Sequence, residues 1–424
     1  MYNIAISVYV FLMRVVACFH PKAKKMVRGH RETFRILEKK VDKKARYIWF
    51  HAASLGEFEQ GRPLMEKLKE DRPEYKILLT FFSPSGYESA KNYVHADIVC
   101  YLPFDFQENA KRLIRLAQPE KAIFIKYEFW YNYLSELKKN NIPTYLVSGI
   151  FREKQVFFRS YGKQYAKVLE NFTHFFLQNK TSEELLHSKG LYNTSITGDT
   201  RFDRVHKIFQ RRKEVPLMDE FVAGGTNPVK ILVGGSTWEK DEDILIPYFN
   251  THPEVRLIIA PHEFNKERLR ELMSKSERPA ILYSQALKEG LGNAEFIIVD
   301  SFGLLSSIYR YTDIAYIGGG FGKGIHNILE AAVYGIPVLF GPKHGKFKEA
   351  DDLIREKGGI SVIDLTDFEG RINDFFSYSE LLNSYGKSAE NYVLNNLGAT
   401  NKIYEKIFIY TNPNTSGSSS LSSD

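Results

Sequence analysis

From Tyr47 onward, short apolar runs rich in β-branched and aromatic residues alternate with stretches whose apolar positions recur at helical spacing. The runs predict strands at Tyr47–His51, Ile77–Phe81, Ile98–Tyr101, Ala122–Ile125, Thr144–Val147 and Phe175–Leu177. Amphipathic helices are predicted between them, among them Leu64–Lys69, Ala110–Ala117 and Tyr131–Lys139. A second series starts at Lys230 with ILVGG and continues through VRLIIA, FIIVD, IAYIGGG, PVLFG and ISVI. Strands alternating with helices in this way predict a parallel α/β sheet, here twice over. Phe209–Pro228 is charged, then glycine-rich and without a clear period, and reads as a linker.

The expected division is therefore a first Rossmann-like domain over 22–208, a linker over 209–228 and a second domain over 229–385. A helical segment over 386–411 is expected to pack back on the first domain, and the polar stretch 412–424 to be disordered. A chain of 424 residues is long enough for two or three full cores.

Gly318–Pro342 draws most of the chemical interest. Three glycines follow the strand Ile314–Ile317, and Ile325, Ile328, Leu329, Ala332 and Val333 then recur as one face of a predicted helix. Glycines ahead of a helix let backbone amides approach a phosphate, Gly320 among them, while tight packing alone is the competing reading. His326 and Glu330 are i,i+4 neighbours with Asn327 beside them, a set able to meet phosphate and ribose. Neither GxxxxGK[ST] nor GxGxxG fits in any register, which argues against an ATPase or dinucleotide loop.

The N-terminus changes the picture. MYNIAISVYVFLM is apolar up to Arg14, too short to span a bilayer, and Lys22, Lys24, Lys25, Arg28 and Arg31 follow. An anchor over residues 1–21, lying in or dipping through the interface with its cations on anionic lipid, competes with a helix packed on the protein. The net charge of +7 suits an anionic partner, but no nucleic-acid motif accompanies it. Two cysteines, Cys18 and Cys100, leave no disulfide framework.

Ligands of open α/β sheets bind at strand carboxyl ends, and several polar groups fall there. HAASLGE puts Glu57 at a helix start, where it is either a reacting carboxylate or a partner of the helix dipole. KYEFWYN puts Glu128 among aromatics that either support a sugar ring or belong to the core. GDTRFDR supplies Arg201 and Arg204. In the second series Gly234, Gly235, Ser236 and Thr237 offer another phosphate contact, and His262 of APHEFNK follows a strand. Asp241 and Asp243 form a DxD-like pair that either holds a divalent metal or opens a helix.

HAASLGE, KYEFWYN, GDTRFD, GGSTWE, APHE, DSFGLL and GIHNILEAAVYGIPVLFGP occur in the order found in the 3-deoxy-D-manno-octulosonic acid (Kdo) transferases. The chain resembles that family over nearly its whole length. The resemblance implies a GT-B fold, with two Rossmann-like domains facing a cleft and an N-terminal membrane-anchoring helix. It also implies inverting transfer from CMP-Kdo to a lipid A precursor at the cytoplasmic face of the inner membrane, with no cofactor or metal required. By the same resemblance Glu57 matches the general base, and Glu128 and Arg201 match groups that assist the transition state. Pro261, His262, Phe302, Gly303, Leu304, Asn327, Ile328, Leu329 and Glu330 match CMP-contacting motifs. Arg201 replaces a common Lys, Pro261 a common Arg and Leu304 a common carboxylate. Another GT-B enzyme using a UDP-sugar, or a non-catalytic nucleotide-binding protein on the membrane, are the competing functions.

Overall fold

The computed structural model describes residues 2–224 and 229–410. The end of the expected linker and the expected tail lie outside them. Contacts divide the chain into residues 1–204 with 397–424 as one unit and residues 205–396 as the other. In the first, β1 (Arg46–Ala52), β2 (Tyr75–Phe81), β3 (Ile98–Tyr101), β4 (Pro119–Ile125), β5 (Thr144–Gly149), β6 (His174–Leu177) and β7 (Thr194–Ile196) are ordered 3-2-1-4-5-6-7. In the second, β8 (Lys230–Thr237), β9 (Val255–Pro261), β10 (Ala280–Leu282), β11 (Phe296–Ile298), β12 (Ile314–Ile317), β13 (Val338–Phe340) and β14 (Gly359–Ser361) are ordered 10-11-9-8-12-13-14. Every pairing is parallel.

Burial on both faces explains why the central strands read as continuous apolar runs. Ile48, Trp49 and Phe50 of β1 and Leu257, Ile258 and Ile259 of β9 have no exposed surface. The two strands missing from the sequence reading, β7 and β10, are three-residue edge strands. Only three residues long and not fully buried, they carry no run long enough to show a period.

Three further expectations change. The linker is not irregular: a helix over Thr200–Gln210 runs into it and a second occupies Pro216–Ala223. Pro216 starts that helix, and Leu217, Met218 and Phe221 bury too short a face to be read as periodic. Residues 386–395 belong to a helix, Ser379–Asn395, of the second unit, where a Cβ on Gly386 would lie 2.2 Å from the Gly335 carbonyl oxygen. Only the stretch from Leu397 joins the first unit, held by Asp203, which accepts from the Gly398 and Thr400 amides at 2.7 Å.

The third change concerns the glycine stretch. The helix is confined to Leu329–Ala332, and residues 318–328 run as turns and coil. Ile325, Ile328, Leu329, Ala332 and Val333 are buried as their spacing predicted, but a folded loop rather than a helix face buries the first two.

The N-terminal residues form α1 (Tyr2–Val16) and α2 (Pro21–Lys40). Among the described residues no helix is long and apolar enough to cross a membrane. α2 buries Ala23, Met26, Val27, His30, Thr33 and Leu37 along one stripe and turns Lys22, Lys24, Lys25, Arg28 and Arg31 outward. Thr33 donates to the Tyr101 carbonyl oxygen at 2.7 Å, fixing α2 on β3. α1 leaves Ile4, Phe11 and Leu12 more than half exposed, while its start is tied down: the Tyr2 hydroxyl donates to Asp105 Oδ2 at 2.5 Å.

His30 stacks on Phe104 at 4.2 Å, and burial is the main force holding its imidazole down at about 4. The unfolded chain takes up a proton below about pH 6.5 that the folded site refuses. Stability is therefore expected to fall as pH drops from about 6.5 towards about 4. His30→Phe should flatten that slope, read from denaturant midpoints at a series of pH values. An unchanged slope assigns the acid loss to other groups.

Candidate functional site

In a doubly wound sheet a crevice opens where neighbouring strands send their chains to opposite sides. That point lies between β1 and β4 in the first unit and between β8 and β12 in the second. HAASLGE follows β1 and KYEFWYN follows β4, so the topology makes neighbours of two motifs some seventy residues apart. GGSTWE and the glycine stretch stand in the same relation after β8 and β12.

In the first unit Glu57 is half-buried in the opening turn of α3 (Leu55–Asp71). Ser54, the residue before that helix, donates its hydroxyl to Glu57 Oε2. A Cβ on Gly56 would meet only the Ser54 hydroxyl oxygen, at an ordinary 3.9 Å, so the turn does not require glycine there. Glu128 is nearly buried, and its Oε2 accepts from Trp130 Nε1 at 2.6 Å and lies 3.0 Å from His51 Nε2.

Arg201 opens the helix Thr200–Gln210 and lies against Asp199, Nη2 to Oδ2 at 2.8 Å. Burial pushes the Asp199 carboxyl up, but Arg201 and the Gln60 amide outweigh it and hold the group below the usual range. Arg204, the other cation of that motif, pairs with Glu59 at 3.0 Å on α3 and is structural.

Tyr127 links the three motifs. Burial raises its phenol, Arg152 opposes this through a 3.1 Å hydrogen bond, and the charges of Glu57 and Arg201 both act on it. The structure thus brings Glu57, Glu128 and Arg201 to one end of one sheet. His51, Thr80, Asp199 and Gln60 are additions that sequence reasoning missed. A histidine inside an otherwise apolar strand was the one available signal.

In the second unit a pocket of about 300 Å³ is lined by Ser236, Pro261, His262, Phe302, Gly303 and Glu330 among others. Ser236 has a left-handed backbone, φ +53°, where the pairing of β8 with β9 shifts register between Gly235 and Thr237 at the pocket. Phe302 is 84% exposed and packs on Phe264 with ring centroids 4.8 Å apart. The buried Ser301 hydroxyl lines the pocket without a protein partner, and Asn327 Oδ1 is likewise buried and unpartnered.

Other predicted contacts fall outside this lining. Thr237 is buried and donates to Glu242 at 3.0 Å, while Ile328 and Leu329 are core residues. Leu304 and Gly320 do not line the pocket either. Asn327 donates to Glu330 at 2.9 Å. His326 stacks on His262 at 4.2 Å, and burial, then His262, hold it down at about 4, so it is neutral near pH 7.

The glycines act mainly by close packing. The amides of Gly318, Gly319, Gly322 and Gly324 donate to protein acceptors, Gly319 to Asp241 Oδ2 at 2.9 Å. A Cβ on Gly318 would meet the Ser236 carbonyl oxygen at 2.3 Å, and one on Gly320 the Gly341 backbone at 2.5 Å. These four amides are therefore unavailable to a phosphate, a correction to the phosphate-cradle reading.

Asp241 also accepts from Trp238 N and the Tyr316 hydroxyl at 2.9 Å, so it ties helix to loop. Asp243 pairs with Lys275 at 2.8 Å. Among the described residues no cluster of three or more His, Cys, Asp or Glu could hold a metal ion.

Residues 28–204 match the family model described as 3-deoxy-D-manno-octulosonic-acid transferase (kdotransferase). The chain is 27% identical over 351 residues to the 3-deoxy-D-manno-octulosonic acid transferase of Aquifex aeolicus, covering 81% of this chain and 90% of that protein. It is 24% identical over 380 residues to the Haemophilus influenzae protein of the same name, covering 87% and 88%. Among solved structures, a putative UDP-N-acetylglucosamine 2-epimerase from Listeria monocytogenes is similar, with a TM-score of 0.57. At 13% identity over 87% of this chain and 98% of that one, the likeness is one of fold.

Gly320→Ala is expected to cost about 1–3 kcal/mol of stability, because the backbone of Gly341 cannot yield to a methyl. Thermal and denaturant unfolding of the purified variant measures this. A variant as stable as the wild type would remove the packing account of that glycine.

Proposed function

We propose, from a chain that through residues 28–204 belongs to the 3-deoxy-D-manno-octulosonic-acid transferase family, that the protein moves Kdo from CMP-Kdo to a lipid A precursor with inversion. The observation that carries the reading is the meeting of Glu57, Glu128 and Arg201 at one end of the sheet in the unit that family model covers.

On this reading Glu57 takes the proton of the acceptor hydroxyl as its oxygen bonds to the anomeric carbon. The bond from that carbon to the CMP phosphate oxygen breaks, and the electron pair leaves with CMP. The Ser54 hydroxyl holds Glu57 Oε2, which leaves Oε1 for the incoming proton. Arg201 and Glu128 bracket the charge that develops on the sugar ring and its carboxylate. CMP occupies the pocket of Ser236, Pro261, His262, Phe302, Gly303 and Glu330, where the His262 ring, stacked on His326, gives a base or ribose a flat wall. Ser301 lines that pocket with a buried hydroxyl still lacking a protein partner, and the polar edge of a nucleotide would satisfy it.

The enzyme works at the cytoplasmic face of the inner membrane. α1 lies in the interface rather than across it, with Ile4, Phe11 and Leu12 in the lipid and the outward cations of α2 on anionic headgroups. The likeness of fold to a 2-epimerase gives a UDP-sugar enzyme its one support.

Two experiments test this. Glu57→Gln keeps size and hydrogen-bonding shape but removes the proton acceptor, so transfer from CMP-Kdo to a lipid A precursor should fall at least about 100-fold. CMP affinity by calorimetry should stay within twofold of wild type, and UDP should bind more weakly than CMP. A variant with half the wild-type rate, or tighter UDP binding, sinks the assignment. For the membrane, Phe11→Asp with Leu12→Asp should reduce sedimentation with phosphatidylglycerol vesicles at least tenfold. Equal sedimentation moves the lipid contact off α1.

A further inference from the structure

We propose that His51 is a positioning residue for Glu128, locking one carboxylate oxygen so that only the other meets the sugar. The inference rests on the role given to Glu128 above. His51 is fully buried near the end of β1, and Glu128 follows β4, the strand beside it. Its Nε2 lies 3.0 Å from Glu128 Oε2.

The surroundings decide where the imidazole carries its proton. Its Nδ1 lies 2.9 Å from the Thr80 hydroxyl oxygen and 3.1 Å from the Thr80 carbonyl oxygen. That hydroxyl oxygen accepts from Trp49 Nε1 at 2.8 Å, and an indole nitrogen can only donate. Thr80 must then spend its own proton on His51 Nδ1 or on the Phe50 carbonyl oxygen, which is farther away at 3.4 Å. With Nδ1 accepting, the imidazole proton sits on Nε2 and points at Glu128. Were Nδ1 protonated instead and bonded to the Thr80 carbonyl, the Nε2 lone pair would compete with Glu128 Oε2 for the single Trp130 N–H, 3.1 Å from it, and would face that carboxylate oxygen at 3.0 Å with no proton between them. Both arrangements free of that repulsion donate from Nε2.

Trp130 Nε1 donates to the same Glu128 oxygen at 2.6 Å and lies farther from His51 Nε2, at 3.1 Å, so its one proton goes chiefly to the carboxylate. Two N–H donors on Oε2 stop the carboxylate rotating and leave Oε1 as the oxygen that faces a substrate. Since the donors come from β1 and from the loop itself, the chain Trp49–Thr80–His51–Glu128 carries the rigidity of three adjacent strands into that loop. A histidine that merely satisfied its own polar atoms in the core would have no bearing on turnover.

The test compares His51→Ala, His51→Gln, Glu128→Gln and the double variant His51→Ala/Glu128→Gln in the full-length protein, with melting temperatures recorded throughout. His51→Ala should lower kcat for Kdo transfer at least tenfold with the donor KM within twofold. His51→Gln, whose amide N–H reaches the Nε2 position, should recover most of that loss. The double variant should be no slower than Glu128→Gln alone. If His51→Ala does not fold, Trp130→Phe removes the other donor and should lower kcat at least threefold. Full activity in a folded His51→Ala, or an equal loss from it in the Glu128→Gln background, overturns the proposal. Full activity of Glu128→Gln instead overturns the role of Glu128. The nitrogen chemical shifts of His51 give a readout independent of turnover: a bare Nε2 contradicts the proposal even if no Kdo transfer is found.

Discussion

Parallel strands deliver their loops to one end of a sheet, and a doubly wound sheet parts those loops at a single point. Everything functional here depends on that constraint being met twice. In the first unit β1 and β4 are neighbours because the chain, after building β2 and β3 on one side, crosses back to start the other. In the second, β8 and β12 stand in the same relation. The carboxylates follow β1 and β4, and the pocket lies beyond β8, β9 and β11, with Glu330 reaching it from the stretch after β12. Neither site could be assembled from residues close in sequence, and neither needs more than strand order to be assembled.

The second crevice imposes a packing demand that explains its glycines. The loop after β12 runs so close to the end of β8 and to the start of the loop after β13 that side chains at Gly318 and Gly320 would collide with backbone. Asp241 then holds the loop through the Gly319 amide while also accepting from Trp238 N and the Tyr316 hydroxyl, and its burial raises its carboxyl despite these three bonds. A loop anchored in this way presents a fixed wall. Its rigidity comes from contacts that use up the amides of Gly318, Gly319, Gly322 and Gly324, so recognition falls largely to the side chains around it.

The sequence was most legible where burial was two-sided. The central strands of both sheets announced themselves because a strand covered on both faces has no polar positions to break the run. Edge strands β7 and β10 and the helix Pro216–Ala223 were lost because three to eight residues hold too few turns of any period. The glycine stretch misled in a more instructive way. Ile325, Ile328 and Leu329 had helical spacing because each enters the core, but Gly319 and Gly324, with φ of +94° and +134°, fold the chain before a helix can start. Of the candidate site, Glu57 and Glu128 were singled out from their place after strands, and Arg201 as a cation of the GDTRFDR motif. His51 was passed over because one histidine in a strand gives no hint of which oxygen it will meet.

The surroundings of the two carboxylates divide the chemistry between them. Glu57 is half-buried at the start of a helix and accepts one hydroxyl, which itself belongs to the flexible side chain of Ser54. Such a group can reorient between taking a proton and releasing it to water. Glu128 is held at one oxygen by the Trp130 ring N–H, with the His51 ring beside that same oxygen, and each ring is fixed by aromatic packing, Trp130 against Phe82 at 4.6 Å and His51 against Phe124 at 5.6 Å. A carboxylate that cannot turn is poorly suited to carry protons and well suited to stand as a fixed negative charge beside a developing cation. On the proposed reading, mobility assigns the base and rigidity the electrostatic partner, and the two roles follow from what each carboxylate is bonded to rather than from its place in the sequence.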